Sequence, residues 1–593
     1  MNYTLASNRV LTGVLVVLTV LLVWFSLHLA ESRIFQVDEC TEVYTARLLA
    51  TGQAKAYHGA IGLLQFPIAW VAKTAARSEQ LLTAGRFFMV EIFWLNVVLL
   101  ALATGERLRS TRGMVALFGA ATLAPLWDYG FEIRHDNLLL TGLLVTWCVV
   151  RIRPAGRQSY LIAGALAVAM QAVAHKAFAY FIPLTLAILV FPPPGHKLPR
   201  WKLALFWAGG ALSAFVALRL LYALQGAGEL SDFSGSGVSF VSQVSVSESR
   251  FGPWVTLSRL FGQTPLLLAL VAAAAVAVTV EIRQRGRAAL SWDGCLPEAL
   301  LFLGTLGILF VNPTPFPYNL LHLVPFAFLF AYRNGLRLWE EIARQPAFLP
   351  VSVTILVFTH LVTFGLATRR HLEWTNTRQL GLMGLAEDLT DPLKDPVFDG
   401  VFMVATRPVI HPGSFLHSLT VRSLLQQDAT HVADMLAARP AAVIMPNYRT
   451  DWLRKEDHAF IREHYVSLAD DFWVLGKMLP VGGGSFEVIH PGRYQITPKE
   501  ASSILGTFDP SSLELVAQIR QAMEGGNSLV KTNCVGMLDG APLTGKAVEL
   551  TVGTHRIETA SDCQPAVVWL GPRVERLHPM VNGDHRWLFN NWY

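Results

Sequence analysis

Charged side chains are scarce in this sequence: Asp, Glu, Lys and Arg make up 15% of its 593 residues. A soluble chain of this length needs far more charge to cover its surface, so the scarcity argues against an ordinary soluble protein. The formal net charge of +5 is also too small to suggest a nucleic-acid partner. There are five cysteines, with no CxxC pair and no His/Cys cluster at zinc spacing, which speaks against a zinc module. The glycine run Gly482-Gly483-Gly484-Ser485 has no Lys-Ser/Thr after it and reads as a turn rather than a phosphate loop. There is no clear internal repeat and no low-complexity tract. Apolar residues are abundant instead: 52% of the chain is hydrophobic and the mean hydropathy is +0.40.

Those residues fall into runs bounded by polar stretches. The runs are Val10–Ala30, Phe87–Ala103, Met114–Leu126, Asn137–Val150, Tyr160–Val173, Ala177–Phe191, Leu203–Leu224, Leu266–Val280, Leu300–Val311, Leu320–Ala331 and Leu349–Leu366. The first is long enough for the ~30 Å hydrocarbon layer; it reads as an uncleaved span, with a cleaved signal peptide as the alternative. The expected fold is a polytopic α-helical membrane protein of about eleven transmembrane helices. Several runs are shorter than ~20 residues, so some turns are expected within the membrane, where protein or a water-filled cavity must surround them.

One alternating set of short loops carries fifteen Lys and Arg residues, grouped around Arg107, Arg151, Lys197, Arg283 and Arg333. The other set carries four: Arg134, Lys176, Arg250 and Arg259. The first set is expected in the cytoplasm; Arg369 and Arg370, after the last run, go against this pattern. With an odd number of spans, everything beyond residue 370 lies outside with the long first loop. The expected organisation is a transmembrane domain (1–370), an extracytoplasmic α/β domain (371–500) and a small extracytoplasmic β-sandwich (501–593). Val401–Val404 and Ala442–Met445 read as buried strands and His431–Ala438 as a helix. Trp473–Leu479 and Phe486–Ile489 read as a hairpin across the glycine turn. Cys534 and Cys563 are expected to pair in an oxidising compartment, the alternative being two buried thiols.

The polar residues gather where the spans emerge on one side. Asp38, Glu39 and Glu42 follow the first span; Asp128, Glu132, Arg134, His135 and Asp136 crowd the turn between the third and fourth. His175 and Lys176 follow the fifth span, Glu248 and Arg250 lie in a longer loop, and Tyr318 and Asn319 end a rigid Pro-rich turn. Any one of these could be a helix cap or a snorkelling cation. Together, close to hydrocarbon, they point to paired or functional charges. Such a set suits transfer of a sugar from a lipid phosphate: cations stabilise the leaving phosphate and a carboxylate takes the acceptor's proton.

The same residues resemble the GT-C superfamily of membrane glycosyltransferases, particularly bacterial relatives of protein O-mannosyltransferases and aminoarabinose transferases. The resemblance rests on Asp38-Glu39 with Tyr44 and Arg47, then Gln65-Phe66-Pro67, Arg86, Arg134-His135-Asp136 and the stretch from Tyr318 to Pro325. It covers about Val10 to Leu366. It implies a GT-C-like fold, a polyprenyl-phosphate sugar donor and inverting single displacement in the bacterial cytoplasmic membrane, with the catalytic face outside. It makes Asp38 the base, with Asp136 and Glu39 beside it. Arg134, His135, His175, Lys176, Arg250, Tyr318 and Tyr44 become substrate-binding candidates. Gln65 departs from a lysine found in some relatives, which leaves the donor contacts and the subfamily open. A divalent cation between Asp38 and Asp136 stays open, with metal-free chemistry preferred. The acceptor, whether protein, lipid or polysaccharide, is unassigned. In the outer region, Trp569 and His555 could face carbohydrate, though a tryptophan in a strand is more often core. A lipid transporter or flippase is the rival reading, and a glycan-binding scaffold the third.

Overall fold

The computed structural model describes residues 2–53, 62–151, 156–174, 176–192, 198–224, 252–286, 296–312, 315–342, 349–411, 414, 416, 431–469, 471–498 and 534–572. Its first part is helical: α1 (Asn2–Ser32), α2 (Val37–Ala50), α3 (Gly62–Ala72), α4 (Ser78–Ala103), α5 (Thr111–Ala121), α6 (Ala124–Tyr129), α7 (His135–Arg151), α8 (Arg157–Ala169), α9 (Ala177–Val190) and α10 (Arg200–Leu224). There follow α11 (Pro253–Gln263), α12 (Pro265–Arg285), α13 (Leu296–Val311), α14 (Leu320–Ile342), α15 (Leu349–Glu373) and α16 (Thr377–Leu389). All of the apolar runs fall on helices. Among the described residues four helical stretches are long and apolar enough to cross a membrane: Arg9–Ser32, Ser78–Ala103, Arg200–Leu221 and Pro265–Gln284.

α4 shows how such a helix divides its faces. Leu82, Arg86, Met89, Phe93, Val97 and Leu100 recur every three to four residues and are buried, so one stripe faces the bundle. α8 and α10 pack through glycine: a Cβ on Gly164 would lie 1.8 Å from the carbonyl oxygen of Trp207, and one on Gly210 would lie 1.9 Å from that of Leu161. Such backbone approach is how small residues join helices in lipid. The run Met114–Leu126 is not one helix. α5 ends at Ala121, and α6 starts afresh with Pro125 in its first turn. Proline cannot donate to a continuing helix ladder, so the chain breaks there. Every residue of α6 is buried, as backbone at that depth requires.

The C-terminal part contains β1 (Val397–Phe398), α17 (Val432–Ala438), β2 (Val443–Ile444), α18 (Lys455–His464), β3 (Tyr465–Ala469), β4 (Phe472–Met478), β5 (Gly483–Val488) and β6 (Gly492–Pro498). It continues with β7 (Gly536–Leu538), β8 (Ala541–Pro542), β9 (Val548–Leu550), β10 (Gly553–Thr559) and β11 (Pro565–Trp569). One sheet runs β1-β2-β4-β11-β6-β9 with β3 also on β4, and a second runs β5-β10-β7-β8. Both sheets combine strands from before and after residue 500, so a boundary there does not describe them. Cys534 and Cys563 are disulfide-bonded with Cα atoms 5.9 Å apart.

Two local expectations need correction. The hairpin across the glycine turn does not form. β4 pairs with β2, β3 and β11, whereas β5 pairs with β10. Gly482, Gly483 and Gly484 have φ of 86°, 97° and 158° and carry the chain from one sheet to the other. The segment 401–404 is not a strand either; it wraps around the Asp399 carboxylate, which accepts the N–H groups of Val401, Phe402 and Met403 at 2.8, 2.6 and 2.7 Å. Trp569 is core, 3% exposed.

The two parts are joined where α1 ends. Arg33 and Thr375 form an antiparallel bridge. Gln379 accepts the Phe35 N–H at 2.7 Å and donates to the Phe35 carbonyl at 3.1 Å. Glu387 accepts from both the backbone and hydroxyl of Ser78, at 2.8 and 2.6 Å. The segment entering α2 is therefore gripped by Thr375 and Gln379, at the start of the helix that leads into the C-terminal part.

Candidate functional site

α2 starts with two acids, a favourable arrangement at a helix N-terminus. Successive helical residues are ~100° apart, so Asp38 and Glu39 point different ways. Glu39 turns inward. It is fully buried, and Arg86 grips both of its oxygens, Nε to Oε1 at 2.7 Å and Nη2 to Oε2 at 2.6 Å. The Ile133 N–H adds 3.2 Å to Oε1 and the Gln36 N–H 2.7 Å to Oε2. Arg86 also donates to the Ile34 carbonyl at 2.6 Å and lies 4.3 Å from the Phe35 ring centre.

Asp38 turns outward. Its side chain is 41% exposed and forms an ion pair with Arg134, which is 4% exposed. Arg134 reaches Asp136 at 3.2 Å, and Asp136, fully buried, is also paired with Lys176. Lys176 keeps 26% of its side chain exposed. Both cations lie over the Tyr318 ring, with the Arg134 guanidinium 4.1 Å and the Lys176 ammonium 4.7 Å from its centre. The His322 Nε2 lies 3.2 Å from the Asp136 carbonyl, and the Tyr180 ring packs against His322, tilted by 35° with centres 4.4 Å apart. His135 Nδ1 lies 3.6 Å from Glu42 Oε1. The Asn137 amide donates to the carbonyls of Tyr129 and Glu132 at 3.0 and 3.1 Å, bracing the turn that carries Arg134 and Asp136. The result is a chain of alternating charge: Asp38, Arg134, Asp136, Lys176. Its two end groups reach water while its middle is sealed.

No known family's sequence model matches this chain, and no curated protein matches it. Among solved structures it is similar to the apo crystal structure of an oligosaccharyltransferase from Archaeoglobus fulgidus. The identity is 10%, the TM-score is 0.43, and the match covers 95% of this chain and 99% of that one. At that distance the likeness bears no weight on chemistry.

Of the residues singled out in the sequence, Asp38, Asp136, Arg134, His135, Lys176 and Tyr318 come together. Glu39 does not join them, because all its contacts belong to the lock with Arg86. Tyr44 is buried with its ring 4.5 Å from that of Phe402, in contact with the C-terminal part. His175 and Arg250 lie outside the described residues. Among the described residues, no group of three or more His, Cys, Asp or Glu side chains could hold a metal ion.

Asp128 and Glu132 belong to a separate buried set. Asp128 binds Arg370 at 2.5 Å, His371 at 3.0 Å and Gln263 at 2.7 Å, and Glu132 binds Arg33 at 2.8 Å. Arg369 pairs with Glu373 at 3.0 Å. The two arginines that went against the loop-charge pattern thus each have an acidic partner. His322 and Tyr180 went unassigned in the sequence; a histidine near the start of the otherwise apolar run Leu320–Ala331 was the available signal. Phe402 carried no signal, since its φ of 62° depends on the fold around Asp399. Burial pushes the Asp399 carboxyl up from its usual range while the surrounding N–H groups hold it down.

Proposed function

We propose that this chain is a membrane glycosyltransferase that moves a sugar from a polyprenyl-phosphate donor to an acceptor hydroxyl. Asp38 is the base in an inverting single displacement. The acceptor O–H gives its proton to the Asp38 carboxylate as its oxygen attacks the anomeric carbon. The bond from that carbon to the phosphate oxygen breaks, and the polyprenyl phosphate leaves with its charge facing Arg134 and Lys176. Asp136 holds those two cations a fixed distance from Asp38 and stays out of the proton transfer. Tyr318 is the floor beneath the phosphate, and His135 borders the acceptor side. Glu39 has no role in the chemistry. This reading places the site on the outer face of a bacterial cytoplasmic membrane, with residues 1–370 as the catalytic bundle and the C-terminal part beside its mouth.

One observation carries the proposal: Asp38 is both anchored to a cation and open to water, while the acids around it are sealed. The order of the motifs resembling the GT-C superfamily supports the same reading. A transporter would need ionisable groups lining a path along the helices. Glu91 and His360 do lie in mid-helix, but Glu91 is exposed on the bundle's outside and His360 is held by the Thr122 hydroxyl at 2.8 Å.

The test compares the cell-envelope glycans of cells making wild-type protein, Asp38→Asn protein or none, by mass spectrometry. The expected result is a glycan mass shift that needs the wild type and is missing with the variant, at equal levels of inserted protein. Wild-type glycans from the Asp38→Asn strain would remove Asp38 as the base.

A further inference from the structure

The two cations rest on Tyr318, and Tyr318 leads outward. Its ring stacks on Phe316 with centres 5.5 Å apart. The adjoining Pro315 carbonyl accepts the Thr256 hydroxyl of α11, and α11 also carries Trp254, whose ring meets the edge of Phe310 at 5.2 Å. Trp254 is 72% and Phe310 42% exposed. α11 is two-sided: Thr256, Leu260 and Gln263 are buried, whereas Trp254, Val255 and Phe261 are exposed. The Gln263 amide fastens the inner side to Asp128 at 2.7 Å. The helix ends next to Pro265, the first residue of a stretch apolar and long enough to cross a membrane. That continuity places the exposed side of α11 at the level where a bilayer begins, where tryptophan is favoured.

We infer that the donor's isoprenoid chain leaves the Arg134–Lys176 pair over Tyr318 and Phe316 and then runs along Trp254 and Phe310 into the bilayer. This rests on the proposed function and adds the path of the substrate's lipid. The occupant follows from continuity: the track's polar end is where two cations meet one aromatic ring, and its other end is bare hydrocarbon surface. A molecule with a phosphate head and an unsaturated apolar tail matches both ends. The bulk lipid of the outer leaflet matches only the second. Flat aromatic faces also suit the planar double bonds of a prenyl chain, and each ring that such a chain covers adds apolar burial.

The test measures binding of two bare lipid phosphates, farnesyl phosphate and undecaprenyl phosphate, to the full chain in nanodiscs. Wild type should bind the long lipid more tightly. The exposed double variant Trp254→Ala/Phe310→Ala should keep its affinity for farnesyl phosphate and lose about tenfold for undecaprenyl phosphate. Lys176→Gln should weaken both lipids alike. A double variant that keeps the wild-type preference for the long chain overturns the track, and α11 then faces bulk lipid only. If wild type binds neither lipid phosphate, the donor reading fails, and the track with it.

Discussion

Two acid–base networks meet at the start of α2, built from the same residue types. In one, Glu39 and Arg86 are both fully buried, and the carboxylate's two oxygens meet the guanidinium and two backbone N–H groups. In the other, Asp38 and Lys176 reach water at the two ends of a charge chain whose centre, Arg134 and Asp136, is sealed. The difference lies in exposure, not in the number of charges. A sealed pair has traded its hydration for fixed geometry and has no capacity left for a substrate. An ion pair with a wet end can exchange water for an incoming hydroxyl or phosphate without unfolding anything. The chain places both within two consecutive residues, so paired substitutions there separate architecture from chemistry.

The largest effect is expected at the sealed lock. Removing one partner, as in Glu39→Gln or Arg86→Met, leaves a buried charge without its counter-ion and costs about 3–5 kcal/mol. Thermal melting in detergent should show loss of folded protein, and the double variant Glu39→Met/Arg86→Met should recover much of it. If Glu39→Gln melts with wild type yet loses glycan transfer, the contrast between the two acids is wrong. At the wet end, Asp38→Asn should melt within a few degrees of wild type while transfer falls by roughly 10²–10⁴-fold, the usual range for a lost general base. Melting curves and glycan mass spectra from the same preparations decide between the two outcomes.

A smaller effect is expected where the C-terminal part meets α2. Phe402 packs on Tyr44, about one and two-thirds helical turns after Asp38, and its backbone is pinned by the Asp399 carboxylate. Phe402→Ala removes an aromatic contact worth about 1 kcal/mol and loosens the support of α2 without touching the charge chain. Transfer should fall by less than about tenfold, and Phe402→Tyr should restore it. A Phe402→Ala loss as deep as that of Asp38→Asn would move Phe402 into the site itself.

Much of this was legible in the sequence and some was not, for definite reasons. Helix positions followed from apolar runs because a run of that length has few other ways to satisfy its backbone in lipid. The meeting of Asp38, Arg134, Asp136 and Lys176 was expected from polar turns that alternate along the apolar runs, and the four side chains do come together. The fate of Glu39 was hidden. It depends on Arg86, 47 residues away, and two adjacent acids look equivalent until the partner is placed. Asp128 was read as part of the polar rim, but its partner Arg370 is 242 residues distant. The hairpin expectation failed for the same reason. β4 finds β11, far along the chain, with Met478 opposite Ala566, and local alternation gives no information about a strand's remote neighbour.

The smallest effect extends the comparison to a third ion pair, in the smaller sheet, with its Asp539 side chain 47% and its His555 side chain 13% exposed. Asp539 and Gly540, with φ of 50° and 84°, turn the chain between β7 and β8, and the Asp539 carboxylate lies 2.6 Å from His555 Nδ1. The other ring nitrogen lies 2.8 Å from the Thr551 carbonyl. Both partners are acceptors, so only the doubly protonated imidazolium can donate to both. The His555 value is accordingly raised, against the opposing pull of burial, and that of Asp539 is lowered, chiefly by its hydrogen bond with His555. A raised histidine stabilises the fold fully below its unfolded value of about 6.5 and loses that contribution as pH rises through its folded value. A lowered aspartate contributes above its unfolded value of about 3.9 and loses that contribution as pH falls through its folded one. The pair is therefore strongest between about pH 4 and 6.5. His555→Gln should lower the melting temperature slightly, by ~1 °C, near pH 5.5 and by less near pH 9, and added salt should shrink the gap. A gap that widens towards alkaline pH would mean that His555 acts as a neutral ring, leaving this pair without its charge.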